Sequence, residues 1–273
     1  MGAEPLHAYA TPLLSGVLIR RCDRFLAEVL LDSGEEILAH CVNTGRMEGL
    51  TARGLRVWVS HNPNPTRKLQ YSWEITQVGA ELIGTNTAMP NRLAAKLIEG
   101  RMVRGLDRWT EMKAEQRYGE NSRVDFLLNE GKRLHYVEVK NCHLVYPDGR
   151  GYFPDSVSER ATKHLEELIE VMREGHRATV LFVAQHPAAR AMRPSDAHDP
   201  AFAEAARRAK AAGVRFRAVR IIPTPEGLFF GGVIPVDLRP YRTERMKRWR
   251  EEGRAAGPAW YRRNSKLGIG NGE

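Results

Sequence analysis

Apolar and polar positions follow two different rhythms along this chain. From Leu13 to about Thr85 they come as short apolar runs divided by turn residues: Val17-Leu18-Ile19, Phe25 to Leu31, Glu36 to Ala39, Leu55 to Val59 and Tyr71 to Ile75. Asp32-Ser33-Gly34-Glu35 supplies a hairpin link. Five or six short strands without a long helical period predict a small, five-stranded barrel of the oligonucleotide-binding type. An SH3-like barrel fits the same string nearly as well.

Near Gly84 to Pro90 the alternation gives way to helical spacing over Asn91 to Gly100, with a proline at its start and a glycine at its end. A domain boundary near residue 86 is expected, giving a barrel over 1–86, a second domain over 87–238 and a basic tail over 239–273. In the second domain a strand-like pass at Met102-Val103 and a helical segment around Glu111 to Glu115 lead into a hairpin. Its strands are Ser122 to Leu128 and Leu134 to Lys140, joined by the polar link Asn129 to Arg133. Ser156 and Glu159 have capping-box spacing before a helix whose apolar stripe is Ala161, Leu165, Leu168, Ile169 and Met172, and Gly175 stops it. Ala178 to Ala184 is a continuous apolar run, as in a strand covered on both faces. Asp199-Pro200 opens an alanine-rich helix ending at Gly213, and Val214 to Val219 returns as a strand. Strand, strand, helix, strand, helix, strand predicts a mixed sheet flanked by helices, so the chain as a whole is α+β.

Composition narrows the function classes. With 273 residues the chain can bury a sizeable core. No apolar run approaches a bilayer's thickness, and the start Met-Gly-Ala-Glu-Pro-Leu-His lacks a signal peptide's pattern, so a cytoplasmic protein without membrane contact is expected. Cys22, Cys41 and Cys142 are too widely spaced for a disulfide framework or a zinc motif. The net charge of +9 suggests a polyanionic partner. Residues 239–273 hold ten Lys/Arg against four Asp/Glu, so +6 of that charge lies in the tail. That tail reads as a basic helix, Thr243 to Arg254, followed by a loose Gly-rich end.

The chemistry concentrates in the hairpin. Residues two apart on a strand share a face. Val137 and Val139 therefore point to a core, while Tyr136, Glu138 and Lys140 point the other way. With Asp125 on the partner strand they form a charged cluster whose burial is costly unless it is paired or bound to metal. Asp125 and Glu138, with the main-chain carbonyl of Val139, are the oxygens a Mg2+ (or Mn2+) ion takes when it activates water against a phosphodiester. Lys140 can orient or deprotonate that water and stabilise developing charge. Glu115 is a candidate outer carboxylate and Asp155 a weaker one. The bland reading is an Asp125 that merely pairs with Arg123. Candidate nucleic-acid contacts are Arg46 in a small polar loop, Arg67 and Lys68 beside the aromatic Tyr71 and Trp73, Arg123, and the helix stripe Arg160, Lys163 and His164. Trp73 itself reads as core, and the helix stripe equally as a solvated face.

Several blocks together resemble the sugar fermentation stimulation protein A family. They are Arg24-Phe25-Leu26-Ala27, His40-Cys41-Val42-Asn43-Thr44-Gly45-Arg46-Met47, Arg67-Lys68-Leu69, Asn86-Thr87 with Pro90-Asn91, Ser122 to Leu128, Glu138-Val139-Lys140-Asn141, Phe153-Pro154-Asp155-Ser156 and Lys163-His164-Leu165. Val42 stands where the family usually has proline, and Ser156 where it has alanine. The resemblance covers roughly residues 13–222. It implies an N-terminal oligonucleotide-binding barrel joined to a restriction-endonuclease-like domain of the PD-(D/E)xK type. Asp125, Glu138 and Lys140 then occupy the nuclease motif. It also implies DNA binding, often sequence-nonspecific, with a supposed role in sugar (maltose) metabolism; RNA is the alternative polymer.

Overall fold

A computed structural model describes residues 4–119 and 122–256. The chain starts with a two-residue strand, β1 (His7–Ala8), and then builds a barrel from β2 (Leu14–Cys22), β3 (Leu26–Leu31), β4 (Glu36–His40), β5 (Arg56–His61) and β6 (Tyr71–Val78), with β7 (Glu81–Gly84) added beside β6. The order β4-β3-β2-β5-β6 is closed by a parallel pairing of β4 with β6, Ala39 to Tyr71 and His40 to Ser72; every other pairing is antiparallel. That order is the oligonucleotide-binding barrel, which settles the choice against the SH3-like alternative.

The two-residue period explains why these strands bury what they do. On β3, Ala27, Val29 and Leu31 face inward while Leu26, Glu28 and Leu30 lie on the other side. With Leu18, Val57, Val59 and Trp73 they fill the barrel, each buried Val or Leu side chain contributing about 1.5–3 kcal/mol. Gly16 lets β2 and β3 approach closely, since a Cβ there would stand 2.4 Å from the Leu30 carbonyl oxygen.

The second domain contains α1 (Met89–Glu99), β8 (Glu111–Tyr118), β9 (Ser122–Asn129), β10 (Leu134–Cys142), β11 (Arg150–Phe153), α2 (Glu159–Arg173), β12 (Arg177–Ala184), β13 (Ala191–Pro194), α3 (Pro200–Ala211), β14 (Arg215–Thr224), β15 (Gly227–Ile234) and α4 (Glu244–Ala256). A seven-stranded mixed sheet runs β1-β15-β14-β12-β10-β9-β8, with β10, β12 and β14 parallel at its centre; β11 and β13 pair separately. One face carries α2 and α3 over Leu165, Leu168, Phe182 and Phe202, and the other carries α1 over Leu93, Leu97, Val137 and Leu181. The central β12 is buried from Ala178 to Ala184, as its unbroken apolar run requires. Among the described residues no helix is long and apolar enough to cross a membrane.

Several local expectations need correction. Glu111 to Glu115, read as helical, belongs to β8, because pairing along β9 outweighs the helix propensity of a Glu-Met-Lys-Ala-Glu string. Met102-Val103 is not a strand: Met102 N–H donates to the Leu97 carbonyl at 2.9 Å and closes α1. The cap of α2 is Ser158 rather than Ser156, its hydroxyl accepting from the Ala161 N–H. β1 pairs with β15 through His7–Leu228 and Ala8–Gly227, so the first residues of the expected barrel segment add to the second domain's sheet. The expected tail is likewise partly built in, since Met246 and Trp249 of α4 pack on Leu144, Tyr146 and Tyr152. Its Gly-rich end, 257–273, lies outside the described residues.

Candidate functional site

The β9–β10 hairpin positions the charged cluster through its register. Val137 pairs with Phe126, so one step further along the ladder Glu138 comes level with Asp125. There the ladder yields to a side chain: Asp125 Oδ2 accepts from the Val139 N–H at 2.6 Å, and Oδ1 accepts from Asn91 Nδ2 of α1 at 2.7 Å. Glu138, on β10 beside the central β12, is 3% exposed. Its Oε1 accepts from Lys140 Nζ at 2.6 Å and from His164 Nδ1 on α2, while its Oε2 is buried without a partner.

The two acids are driven apart. Burial, and then the Glu138 charge, push the Asp125 carboxyl up to about 6 against the pull of the Val139 N–H and Asn91. Burial also pushes Glu138 up, but the His164 hydrogen bond and the Lys140 ammonium more than offset it and hold Glu138 below the usual carboxylate range.

This cluster floors a cleft of about 690 Å³. Nine of the sequence-nominated residues line it: Asp125, Glu138, Val139, Lys140, Glu115, Arg123, Arg160, Lys163 and His164. Glu115 is exposed on β8, opposite Asp125 between the pairs Ala114–Phe126 and Gln116–Val124, with a left-handed φ of 54°. Arg123, Arg160 and Lys163 are exposed at the rim, and Lys163 Nζ stands 3.6 Å from Glu167. His164 is different. It is buried and bonded, Nδ1 to Glu138 and Nε2 to Arg160 Nε at 3.4 Å, so it faces the acid rather than open solvent.

Arg46, Arg67 and Lys68 lie apart from the cleft, on barrel loops. Trp73 is core, its indole N–H shared between Ile75 O and Thr76 Oγ1. Asn91 and Ser122 were not anticipated; Ser122 Oγ donates to Glu167 Oε1 at 2.7 Å. Nothing local in a helix's polar face marks Asn91 as the partner of an acid on a strand thirty-four residues away.

Do these residues suit a divalent ion? Among the described residues no group of three or more His, Cys, Asp or Glu forms a metal cage. Mg2+ asks for less, taking one or two carboxylates and filling its octahedron with water and substrate oxygens. An orphaned, buried Glu138 oxygen next to an Asp125 held half-protonated near pH 6 is a donor set short of a cation, and it fits.

Asp155 sits elsewhere, at the seam between barrel and second domain. Its Oδ2 accepts from the Met47 N–H of the barrel at 3.1 Å and lies 3.5 Å from His143 Nε2. Burial works against ionisation, but His143 and the Met47 N–H win and hold the carboxyl at about 2. Both ring nitrogens of His143 lack an aligned hydrogen bond, and with Asn43, Thr87 and Asn141 the pair lines a small cavity of about 160 Å³. Nearby, Glu48 of the barrel accepts from Tyr146 Oη at 2.6 Å and pairs with Arg250 of α4 at 3.4 Å. Asp155 is therefore a joint between domains and does not line the cleft.

Comparison with known proteins agrees with this architecture. Residues 19–85 match a family model described as the SfsA N-terminal OB domain, and residues 88–227 match the sugar fermentation stimulation protein RE domain. A sugar fermentation stimulation protein homolog from Thioalkalivibrio sulfidiphilus is 42% identical over 227 residues, 83% of this chain and 96% of that protein. One from Brucella melitensis is 44% identical over 230 residues, 84% of this chain and 97% of that protein. A solved structure of Pyrococcus furiosus SfsA, in complex with Ca2+, superposes with a TM-score of 0.78 at 27% identity, covering 86% of this chain and all of that one.

Proposed function

We propose that this chain, which belongs to the sugar fermentation stimulation protein family, binds nucleic acid with little sequence preference and hydrolyses its phosphodiester bonds in the cleft with Mg2+ or Mn2+. The observation that carries the reading is the unanswered negative charge of the β9–β10 hairpin: Glu138 Oε2 is buried without a partner beside an Asp125 that resists ionisation. The Pyrococcus relative was solved with Ca2+, and Ca2+ and Mg2+ are both hard cations that prefer oxygen ligands.

Asp125 and Glu138 Oε2, with the carbonyl of Val139, would hold the ion. When bound, it supplies positive charge to the phosphate oxygens and lowers the pKa of a water. Lys140, once released from Glu138, orients that water and steadies the charge that develops on the phosphate. Glu115, across the ladder from Asp125, offers an outer carboxylate. Arg123, Arg160 and Lys163 at the rim hold neighbouring phosphates, contacts that carry no base information. The loops bordering the ligand face of such barrels are β2–β3 and β5–β6. Here they carry Phe25, 54% exposed, and the basic Arg67 and Lys68, a ring for stacking and cations for phosphate. DNA is the expected polymer, with RNA the alternative.

The test is cleavage of single- and double-stranded DNA and RNA with Mg2+ or Mn2+, comparing wild type with Lys140→Ala. Metal-dependent cleavage by wild type and a loss of at least a hundredfold in the variant are expected; equal behaviour rejects the enzyme. A second reading, a regulatory DNA-binding protein of sugar metabolism that cuts nothing, draws on Lys140 being tied to Glu138. It predicts salt-sensitive binding with no cleavage under any of these conditions.

A further inference from the structure

Glu138 Oε1 receives two donors while Oε2 receives none. That asymmetry matters because a carboxylate is planar, so fixing one oxygen also fixes where the other one faces. One of the two donors, Lys140, is also the group nominated to serve the attacking water, and a shift toward that water lengthens its bond to Oε1. If it leaves for the water, the orientation of Glu138 rests on His164 alone.

We infer that His164 is a positioning residue, which keeps Glu138 Oε2 turned to the cation and thereby frees Lys140 for the reaction. The inference rests on the cation reading of Asp125 and Glu138 given above.

Three features of α2 suit His164 to that work. Its neighbour Leu165 and, one turn on, Leu168 are fully buried against the sheet, so the helix cannot shift the ring without disturbing the core. The ring itself is only 6% exposed, so water does not compete for the Glu138 contact. Arg160, four residues earlier on the same face, donates its Nε–H to Nε2. Nε2 is thus occupied by Arg160, and Nδ1 is the nitrogen that meets the carboxylate. The arrangement is the one by which groups behind a metal ligand set its orientation. Arg160 also lines the cleft, so a phosphate that drew it away would act on the same ring.

Substitution separates the hydrogen bond from the packing. An asparagine amide reaches about where Nδ1 stands, a glutamine amide about where Nε2 stands, and alanine offers neither. Calorimetric titration of the full-length chain with Mn2+ and with Ca2+ reads the effect directly, and thermal melts of each variant report folding. His164→Ala and His164→Gln are expected to lose about tenfold to a hundredfold in cation affinity, with His164→Asn within a few-fold of wild type. Wild-type affinity in His164→Ala overturns the inference, and so does a folded His164→Asn as weak as the alanine variant. A wild-type chain that takes up neither cation rejects the cation reading itself. Uptake by wild type that Asp125→Asn abolishes and His164→Ala leaves untouched rejects only the role of His164.

Discussion

Asp125 and Asp155 are both largely buried aspartates with an N–H donor from a neighbouring chain segment, yet they titrate in opposite directions, at about 6 and about 2. Their surroundings account for the split. Asp155 meets a backbone N–H from the barrel and an imidazole from the second domain, so the protein answers its charge with its own groups. Asp125 meets a backbone N–H and an amide, but also a second acid, Glu138, whose nearest partners, Lys140 and His164, are already engaged on its other oxygen. A buried acid with its charge answered is a joint; one with its charge left over is a place for something to bind. The volumes agree, a cavity of about 160 Å³ at the seam against a cleft of about 690 Å³ at the hairpin.

Removing each acid should therefore change stability with opposite sign, and the seam should show the larger effect. Asp155→Ala removes the carboxylate beside His143 and cuts the link to Met47, a loss of about 1.5–3 kcal/mol in urea unfolding. Its folded pKa of about 2 lies below the reference 3.8, so its stabilising contribution is in force above pH 3.8 and fades as pH falls through 2. A loss under about 1 kcal/mol would make the seam incidental. At Asp125 the folded pKa of about 6 lies above the reference 3.8, so the native state holds the proton longer. Cation-free stability should then fall as pH rises from about 4 to 6. Asp125→Asn should flatten that slope and raise cation-free stability at pH 7 by about 1–2 kcal/mol, while losing the stabilisation that Mn2+ gives wild type. Were the variant less stable than wild type without cation, Asp125 would be a structural acid like Asp155, and the contrast would collapse.

Sequence periodicity exposes one of these two places and hides the other. The two-residue period of Leu134 to Lys140 puts Glu138 and Lys140 on one face, and the polar link before it fixes Asp125 on the partner strand, because both are local properties of a hairpin. Likewise β3 and β12 are readable, one as alternation and the other as an unbroken apolar run. What local pattern cannot carry is partnership across the chain. Asp155 follows a Phe-Pro turn and looked like a spare catalytic acid, since nothing nearby in sequence says that it faces Met47, 108 residues earlier. Asn91 and the β4–β6 closure of the barrel depend on the same kind of distant contact. The strand β8 was masked by helix-forming residues, and α4 by a basic composition that hides Met246 and Trp249. His164 shows the intermediate case: helical spacing puts it on the stripe of Arg160 and Lys163, but only the sheet beneath α2 reveals that it turns to Glu138.

The smallest effect should come from the rim, and it separates binding from stability altogether. Lys163 Nζ lies 3.6 Å from Glu167 with its side chain 56% exposed, so solvent and salt screen the pair. Lys163→Ala should change unfolding free energy by less than about 0.5 kcal/mol. If Lys163 holds a phosphate, the same substitution should weaken DNA binding across sequences and lower the slope of log affinity against log salt by about one. Arg173 is the matched control, an exposed cation paired with Glu170 at the far end of the same helix and absent from the cleft lining. Arg173→Ala should leave the slope alone. Equal slopes for both variants would mean that the cleft's positive rim does not meet the polymer, and the charge left over at Asp125 and Glu138 would then belong to a site for the ion alone.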